Sequence, residues 1–100
     1  MQILKPATAG TLESSDLMVT LEPGTDGIEL SLTSSVMNQY GRQIKKTVLE
    51  TLERLEVKDA KVTVVDKGAL DFVIRARMRC AICRAAEIQY DWGKEDGYGK

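Results

Sequence analysis

The sequence contains no histidine, two cysteines and 5% aromatic residues in a chain of 100 residues. Histidine is the side chain most often used in general acid–base catalysis, so its absence removes that option. Cys80 and Cys83 are too few for a disulfide framework, and a zinc site would need further ligands. We therefore predict two reduced cysteines, no metal site and no catalytic residues within this chain.

An excess of one charge is also missing, because 14 Lys and Arg residues face 15 Asp and Glu residues. The resulting net charge of -1 gives no general attraction to nucleic acid or to an anionic membrane. Apolar runs such as residues 62–65 are far shorter than the roughly 20 residues of a membrane span. Residues 1–6 lack the apolar region of a secretory signal. We expect a cytoplasmic protein without nucleic-acid or membrane partners.

The residues that are present predict one folded domain, since 43% are hydrophobic and 29% are charged. A chain of this length has room for a single modest core. Residues 90–100 are polar and rich in glycine, with no hydrophobic periodicity. We assign residues 1–89 to the domain and residues 90–100 to a flexible C-terminal tail.

The N-terminal third of the chain shows strand patterns separated by turns. Residues 8–13 and 17–21 read as two β-strands joined by the polar turn of Ser14, Ser15 and Asp16. This arrangement predicts a hairpin with Ser14 exposed at its tip. A further strand follows from Ile28, where apolar and polar residues alternate.

Helical periodicity begins in the middle of the chain. Apolar residues at a spacing of three or four predict a long amphipathic helix over about residues 35–55, and a strand follows at residues 61–65. The next segment fits both periods. We predict a strand over residues 69–75 and a helix over residues 76–88, with one long helix from Ala69 as the alternative. The fold class is α+β, a mostly antiparallel sheet with two helices packed on one face.

Ser14 is the candidate functional residue because the polar turn exposes its hydroxyl. Viewed locally, it is an ordinary turn serine that could hydrogen-bond or cap within the turn. The wider sequence changes this interpretation. Residues 10–16, residues 66–71, residues 75–77 and residues 84–85 together resemble the acyl carrier (gamma) subunit family of citrate lyase, over about residues 3–89.

This resemblance implies that Ser14 is linked through a phosphodiester to 2'-(5''-phosphoribosyl)-3'-dephospho-coenzyme A, whose thiol carries an acetyl group. It also implies a cycle in which a transferase (alpha) subunit exchanges acetyl for citryl and a lyase (beta) subunit then cleaves the citryl group. A separate prosthetic-group transferase would attach the arm. The chain itself would be a carrier and not an enzyme, and the neighbouring Ser15 is the alternative attachment site.

Several other interpretations stay open at this point. The carrier could serve a related citramalate lyase or malonate decarboxylase complex. From other classes, an unmodified interaction module would need no arm, and a thiol-redox enzyme would use Cys80 and Cys83.

Two groups of charged residues could also contribute to function. Arg75, Arg77, Arg79 and Arg84, with nearby Lys67, form either a solvated face or a patch that contacts phosphate or acidic partner surfaces, and the sequence does not show whether any of the arginines approaches Ser14. Asp66 and Asp71 are better explained by a turn at Gly68 than by paired acid–base chemistry.

Overall fold

The computed structural model describes residues 1–87, so the predicted tail and residues 88 and 89 lie outside it. The chain forms four strands and two helices. In chain order they are β1 (Ala7–Gly10), β2 (Leu17–Pro23), β3 (Ile28–Ser34), α1 (Met37–Arg54), β4 (Ala60–Asp66) and α2 (Asp71–Ala85).

The four strands form one sheet in the order β1-β2-β4-β3. β1 pairs with β2 and β2 pairs with β4 in antiparallel fashion, which confirms the N-terminal hairpin. β3 and β4 are parallel, because α1 lies between them and returns the chain to the end of the sheet where β3 began. The sheet is therefore mixed, although two of its three strand pairs are antiparallel as predicted.

The core lies between one face of the sheet and the two helices. Alternate residues of the central strands are buried, as a period of two requires for a sheet with one covered face. The helices contribute residues spaced by four, which form one stripe on each helix. The fully buried side chains from these elements include Leu17, Val19, Leu21, Val62, Val64, Val48, Leu52, Ile74, Met78 and Ile82. The structure thus confirms an α+β fold with both helices on one face.

The opposite face of the sheet is mostly polar and faces solvent, although Met18 and Val65 lie half-buried on it. Thr8 of β1 and Thr20 of β2 are paired across this face, with their hydroxyls 3.3 Å apart. Among residues 1–87 the structure contains no helix both long and apolar enough to span a membrane.

The predicted strand over residues 69–75 is wrong, since α2 begins at Asp71 and continues to Ala85. The alternating pattern that suggested a strand includes Leu70 and Phe72, but these side chains are 63% and 62% exposed. The pattern that decides the structure is the helical one, in which the buried residues of α2 recur at intervals of three and four. The alternative of a single helix in this region was the correct one.

The strand boundaries at the hairpin also differ from the prediction. The first strand ends at Gly10 instead of continuing to residue 13, because Gly10 has a φ of 98°. A positive φ of this kind breaks the extended backbone, and glycine is the residue that tolerates it. A Cβ at this position would also collide with the carbonyl oxygen of Leu17. The connection that carries Ser14 is consequently longer than the predicted three-residue turn.

One end of the sheet gathers the elements that surround Ser14. β1 ends there and β2 begins there, and β4 also ends there because it is antiparallel to β2. α2 starts five residues after β4 ends, so its first turns also lie near this edge. We call this end of the sheet, around Gly10, Leu17 and Asp66, the hairpin end.

Candidate attachment site

The connection between β1 and β2 folds into a tight turn around Ser14. The Asp16 N–H donates to the Glu13 carbonyl at 3.1 Å, which closes a four-residue turn with Ser14 and Ser15 at its centre. Ser15 has a φ of 67°, in the left-handed region. Both serines are exposed, as the sequence predicted for Ser14.

The turn is tied to the end of β4 by two backbone hydrogen bonds. The Ser15 N–H donates to the Lys67 carbonyl at 2.8 Å, and the Lys67 N–H donates to the Asp16 carbonyl at 2.9 Å. These bonds extend the β2–β4 pairing beyond its last rung, where Leu17 faces Asp66. Ser14 therefore lies one residue outside an anchored segment. Within residues 1–87 its hydroxyl has no hydrogen-bond partner.

Asp16 organises the rest of the turn through its carboxylate. One oxygen accepts the Leu17 N–H at 2.7 Å, and the other accepts the Thr11 hydroxyl at 2.6 Å. The same Thr11 oxygen accepts the Glu13 N–H at 3.2 Å. The carboxylate thus connects both sides of the turn.

Arg77 of α2 forms a two-pronged ion pair with this carboxylate. Its Nε donates to Asp16 Oδ1 at 3.0 Å and its Nη2 donates to Oδ2 at 2.8 Å. Such paired, parallel hydrogen bonds fix the direction of both side chains. They also fasten the turn to α2, through a residue that lies 61 positions after Asp16 in the chain.

The ion pair changes the acidity of Asp16. The hydrogen bond from Arg77 is the largest cause that lowers the Asp16 pKa from 3.8 to about 2, with further help from Thr11 and Leu17 and against the effect of burial. The same contact raises the pKa of Arg77. Asp16 is consequently a fixed negative charge two residues from Ser14.

Asp66, at the end of β4, shapes the next turn. Its buried carboxylate accepts the Ser34 hydroxyl at 2.7 Å and the N–H groups of Gly68 and Ala69 at 3.0 Å each. This is the turn-forming role that the sequence favoured for Asp66. Asp71 lies apart from this network, exposed at the start of α2.

The arginines of α2 divide among different contacts. Arg77 reaches the Ser14 turn, whereas Arg84 donates to the Thr8 carbonyl at 2.8 Å. Arg75 lines a groove between the two helices. Of the predicted basic patch, the structure therefore brings the Arg77 side chain and the Lys67 backbone to the candidate site.

The two cysteines lie in the interior of α2 and away from its first turn. Cys80 is half-buried and Cys83 is buried. Burial is the main cause that raises the pKa of the Cys83 thiol. A raised pKa disfavours the thiolate that redox exchange and metal binding both require.

An apolar groove of about 640 Å³ opens between the first turns of α1 and α2. Tyr40, Leu70 and Phe72 line it and are each more than half exposed. Gly68 also lines it, directly after the residue whose backbone holds the Ser14 turn. The groove and the candidate site therefore share the hairpin end.

Sequence reasoning missed the contact between Arg77 and Asp16. The signals were an acidic residue directly after the serines and an arginine in a later arginine-rich segment. Nothing in the sequence pairs these two residues, because the contact depends on how α2 packs across β1 and β2.

The fold and the turn together define a small domain with a candidate attachment point on its surface. A family model described as "Malonate decarboxylase delta subunit (MdcD)", an acyl carrier family, matches residues 4–85. This match covers most of the chain, so the chain belongs to that family.

Within it, the chain is similar to proteins named citrate lyase acyl carrier protein. The relative from Vibrio cholerae serotype O1 (strain M66-2) is 54% identical over 96 residues, which are 94% of this chain and 98% of the relative. The relative from Clostridium perfringens (strain 13 / Type A) is 53% identical over 93% of this chain and 94% of its own length. The relative from Streptococcus uberis is 50% identical over 98% of each chain.

Solved structures give the same fold. A chain in the crystal structure of a Pseudomonas malonate decarboxylase hetero-tetramer in complex with malonate is 26% identical, with a TM-score of 0.64 over 85% of this chain and 92% of that one. A crystal structure from Thermus thermophilus has a TM-score of 0.60 at 13% identity, over 83% of this chain and 16% of that one, and shows the fold alone.

Proposed function

We propose that this chain is the acyl carrier subunit of a citrate lyase and that Ser14 is the residue that holds its arm. The observation that supports Ser14 is its position: an exposed hydroxyl, without a partner among residues 1–87, on a turn anchored to β4 and α2. The choice of complex rests on relatives of that name that are 50% to 54% identical over nearly the whole chain.

The residues around Ser14 suit a covalently attached 2'-(5''-phosphoribosyl)-3'-dephospho-coenzyme A group. A substituent on Ser14 Oγ meets no enclosing wall, since the neighbouring Ser15 and Glu13 are exposed as well. When bound, the arm supplies the thiol on which acyl groups are carried as thioesters. The turn keeps the point of attachment fixed relative to the core while solvent surrounds the arm.

The same geometry supports a tether and not a catalytic nucleophile. A serine nucleophile needs a base within hydrogen-bond distance to remove its proton. The Ser14 hydroxyl accepts and donates no hydrogen bond within the part of the chain that the structure describes. This chain accordingly carries the acyl group, and the chemistry belongs to its partners.

The partners in this proposal are a transferase (alpha) subunit, a lyase (beta) subunit and the enzyme that attaches the arm. A tethered thioester has a high local concentration at each active site it can reach. An anchored turn at one end of the domain lets the arm enter those sites without disturbing the core. The carrier domain is residues 1–89, and we place it in the cytoplasm.

The test is mass spectrometry of the protein produced together with its modification enzymes. We expect the intact mass to rise by the mass of the arm, and a modified peptide to place it on residue 14. Ser14→Ala should abolish the mass increase, while Ser15→Ala, a matched exposed serine in the same turn, should retain it. Modification of Ser14→Ala at the wild-type level would refute the assignment.

A malonate decarboxylase carrier is the second candidate, because the matching family model bears that description. The solved relative from such a complex is 26% identical to this chain, about half the identity to the citrate lyase relatives. Reconstitution separates the two functions. The modified chain should restore citrate cleavage to carrier-depleted citrate lyase subunits and leave carrier-depleted malonate decarboxylase subunits inactive, whereas the reverse result would favour the second candidate.

A further inference from the structure

Arg77 has hydrogen-bonding capacity that its ion pair leaves unused. A guanidinium carries five N–H donors, and the pair with Asp16 uses one on Nε and one on Nη2. The other three donors have no partner within residues 1–87. The Arg77 side chain is 40% exposed, compared with 14% for Asp16, so the open side of the pair is the arginine side.

Ser14 lies close along the chain to Asp16, the residue that Arg77 contacts. Asp16 is two residues away from Ser14, and consecutive Cα atoms are 3.8 Å apart, so the two Cα atoms are separated by at most about 7.6 Å. The hydrogen bond from the Asp16 N–H to the Glu13 carbonyl folds the turn and brings its residues closer together than an extended chain would. A group attached to Ser14 Oγ is therefore within reach of a side chain that contacts the Asp16 carboxylate.

The arm would add a negative charge to a turn in which Arg77 already compensates the charge of Asp16. Glu13 and Asp16 already flank Ser14 on both sides, and a phosphodiester on Ser14 adds a third negative charge. Charges at these separations lie within the Debye length of about 8 Å at physiological salt, so they repel one another. Arg77 is the cation whose charged group the structure places on the turn.

We propose that Arg77 is a phosphate-binding residue, which holds the phosphodiester on Ser14 with its unused donors while Nε and Nη2 remain on Asp16. The inference rests on the proposed function, since it requires an arm on Ser14. Guanidinium groups bind phosphate oxygens through parallel N–H donors, and Arg77 is already oriented by Asp16. Asp16 thus acts as the positioning residue for the phosphate site.

Arg84 provides the matched control on the same helix. It lies seven residues after Arg77, which is two helical turns or about 10.5 Å along α2. It is exposed and donates to the Thr8 carbonyl at 2.8 Å, so it has the same charge and also contacts the hairpin, through one hydrogen bond to a neutral group. A general effect of charge on α2 would appear equally at both arginines.

The first experiment compares the wild-type protein before and after arm attachment by NMR, with the attached mass confirmed beforehand. We expect the side-chain N–H resonances of Arg77 to shift on attachment and those of Arg84 to stay unchanged. Absence of a shift at Arg77 in protein that carries the arm overturns the phosphate site and leaves the proposed function intact. Absence of the arm from Ser14 in wild-type protein overturns both.

The second experiment is a thermodynamic cycle of melting temperatures for bare and modified forms of three variants. In Arg77→Gln the arm should lower Tm by about 2 °C more than in the wild type, which is the size expected for a partly exposed ion pair in a domain of this length. Arg77→Lys, which keeps the charge without the planar fork, should show an intermediate effect, and Arg84→Gln none. Equal changes in Arg77→Gln and wild type would refute the proposal.

Discussion

The contact between Asp16 and Arg77 predicts a pH-dependent contribution to stability. The folded-state pKa of Asp16 is about 2, below the 3.8 of the free side chain. A carboxylate with a depressed folded pKa stabilises the native state above its unfolded pKa, and the contribution disappears as pH falls through the folded value. The stabilisation is therefore complete above about pH 5 and is lost between pH 4 and pH 2.

The magnitude follows from the shift with a correction for solvent. A pKa shift of this size corresponds to about 2.4 kcal/mol if it is taken at face value. Arg77 is 40% exposed, so water and salt screen its charge and we reduce the expected contribution to about 1–2 kcal/mol. By pH 3 roughly half of it should remain, because the unfolded chain is then mostly protonated while the folded Asp16 is not.

Asp16→Asn tests this expectation, since it preserves the shape of the side chain and removes its charge. Urea unfolding at pH 7 should show a loss of about 1–2 kcal/mol, and the difference from wild type should shrink on acidification. Asp26→Asn, at an exposed aspartate between β2 and β3, is the control and should change stability by less than about 0.5 kcal/mol. A loss for Asp16→Asn that is equal at pH 7 and pH 3 would contradict the electrostatic explanation.

Three further substitutions test other parts of the structure. Gly10→Ala should lower the free energy of unfolding, measured in urea, by more than about 2 kcal/mol, because the new Cβ would combine a positive φ with a collision against the backbone. Gly27→Ala is the control, since Gly27 also has a positive φ but open space around it, and it should cost about 1 kcal/mol. Leu70→Ser should raise Tm by about 4 °C, since Leu70 is the N-cap of α2 and gives no side-chain cap; an unchanged or lower Tm would show that the exposed leucine contributes to packing. Ser14→Ala should leave Tm of the bare protein within about 2 °C of wild type, and a larger drop would mean that the hydroxyl has a structural partner.

Much of the fold could be predicted because a strand or helix that is buried on one face repeats its apolar residues with a characteristic period in the sequence. The alternation in β3 and the spacing of Ile44, Val48 and Leu52 in α1 each fit one structure only. The start of α2 could not be predicted in this way. Leu70 and Phe72 are apolar but exposed, so they continued a strand-like alternation that no burial supports.

The candidate site, like the fold, could be predicted only in part. The exposure of Ser14 follows from local turn chemistry, and its presence on a hairpin is confirmed. The anchoring of the turn does not follow from local sequence, because Lys67 and Arg77 come from the other half of the chain. Such contacts require the sheet order and the position of α2, which periodicity alone does not give.

The anchoring also determines when during folding the turn takes its shape. Its two ties to β4 and its ion pair to α2 join residues that are more than 50 positions apart, so they require β4 and α2 to be in place against the hairpin. An unfolded chain lacks these ties, so its Ser14 has no anchored turn around it. An enzyme that recognised the anchored turn, and not the serine alone, would consequently require the folded domain as its substrate.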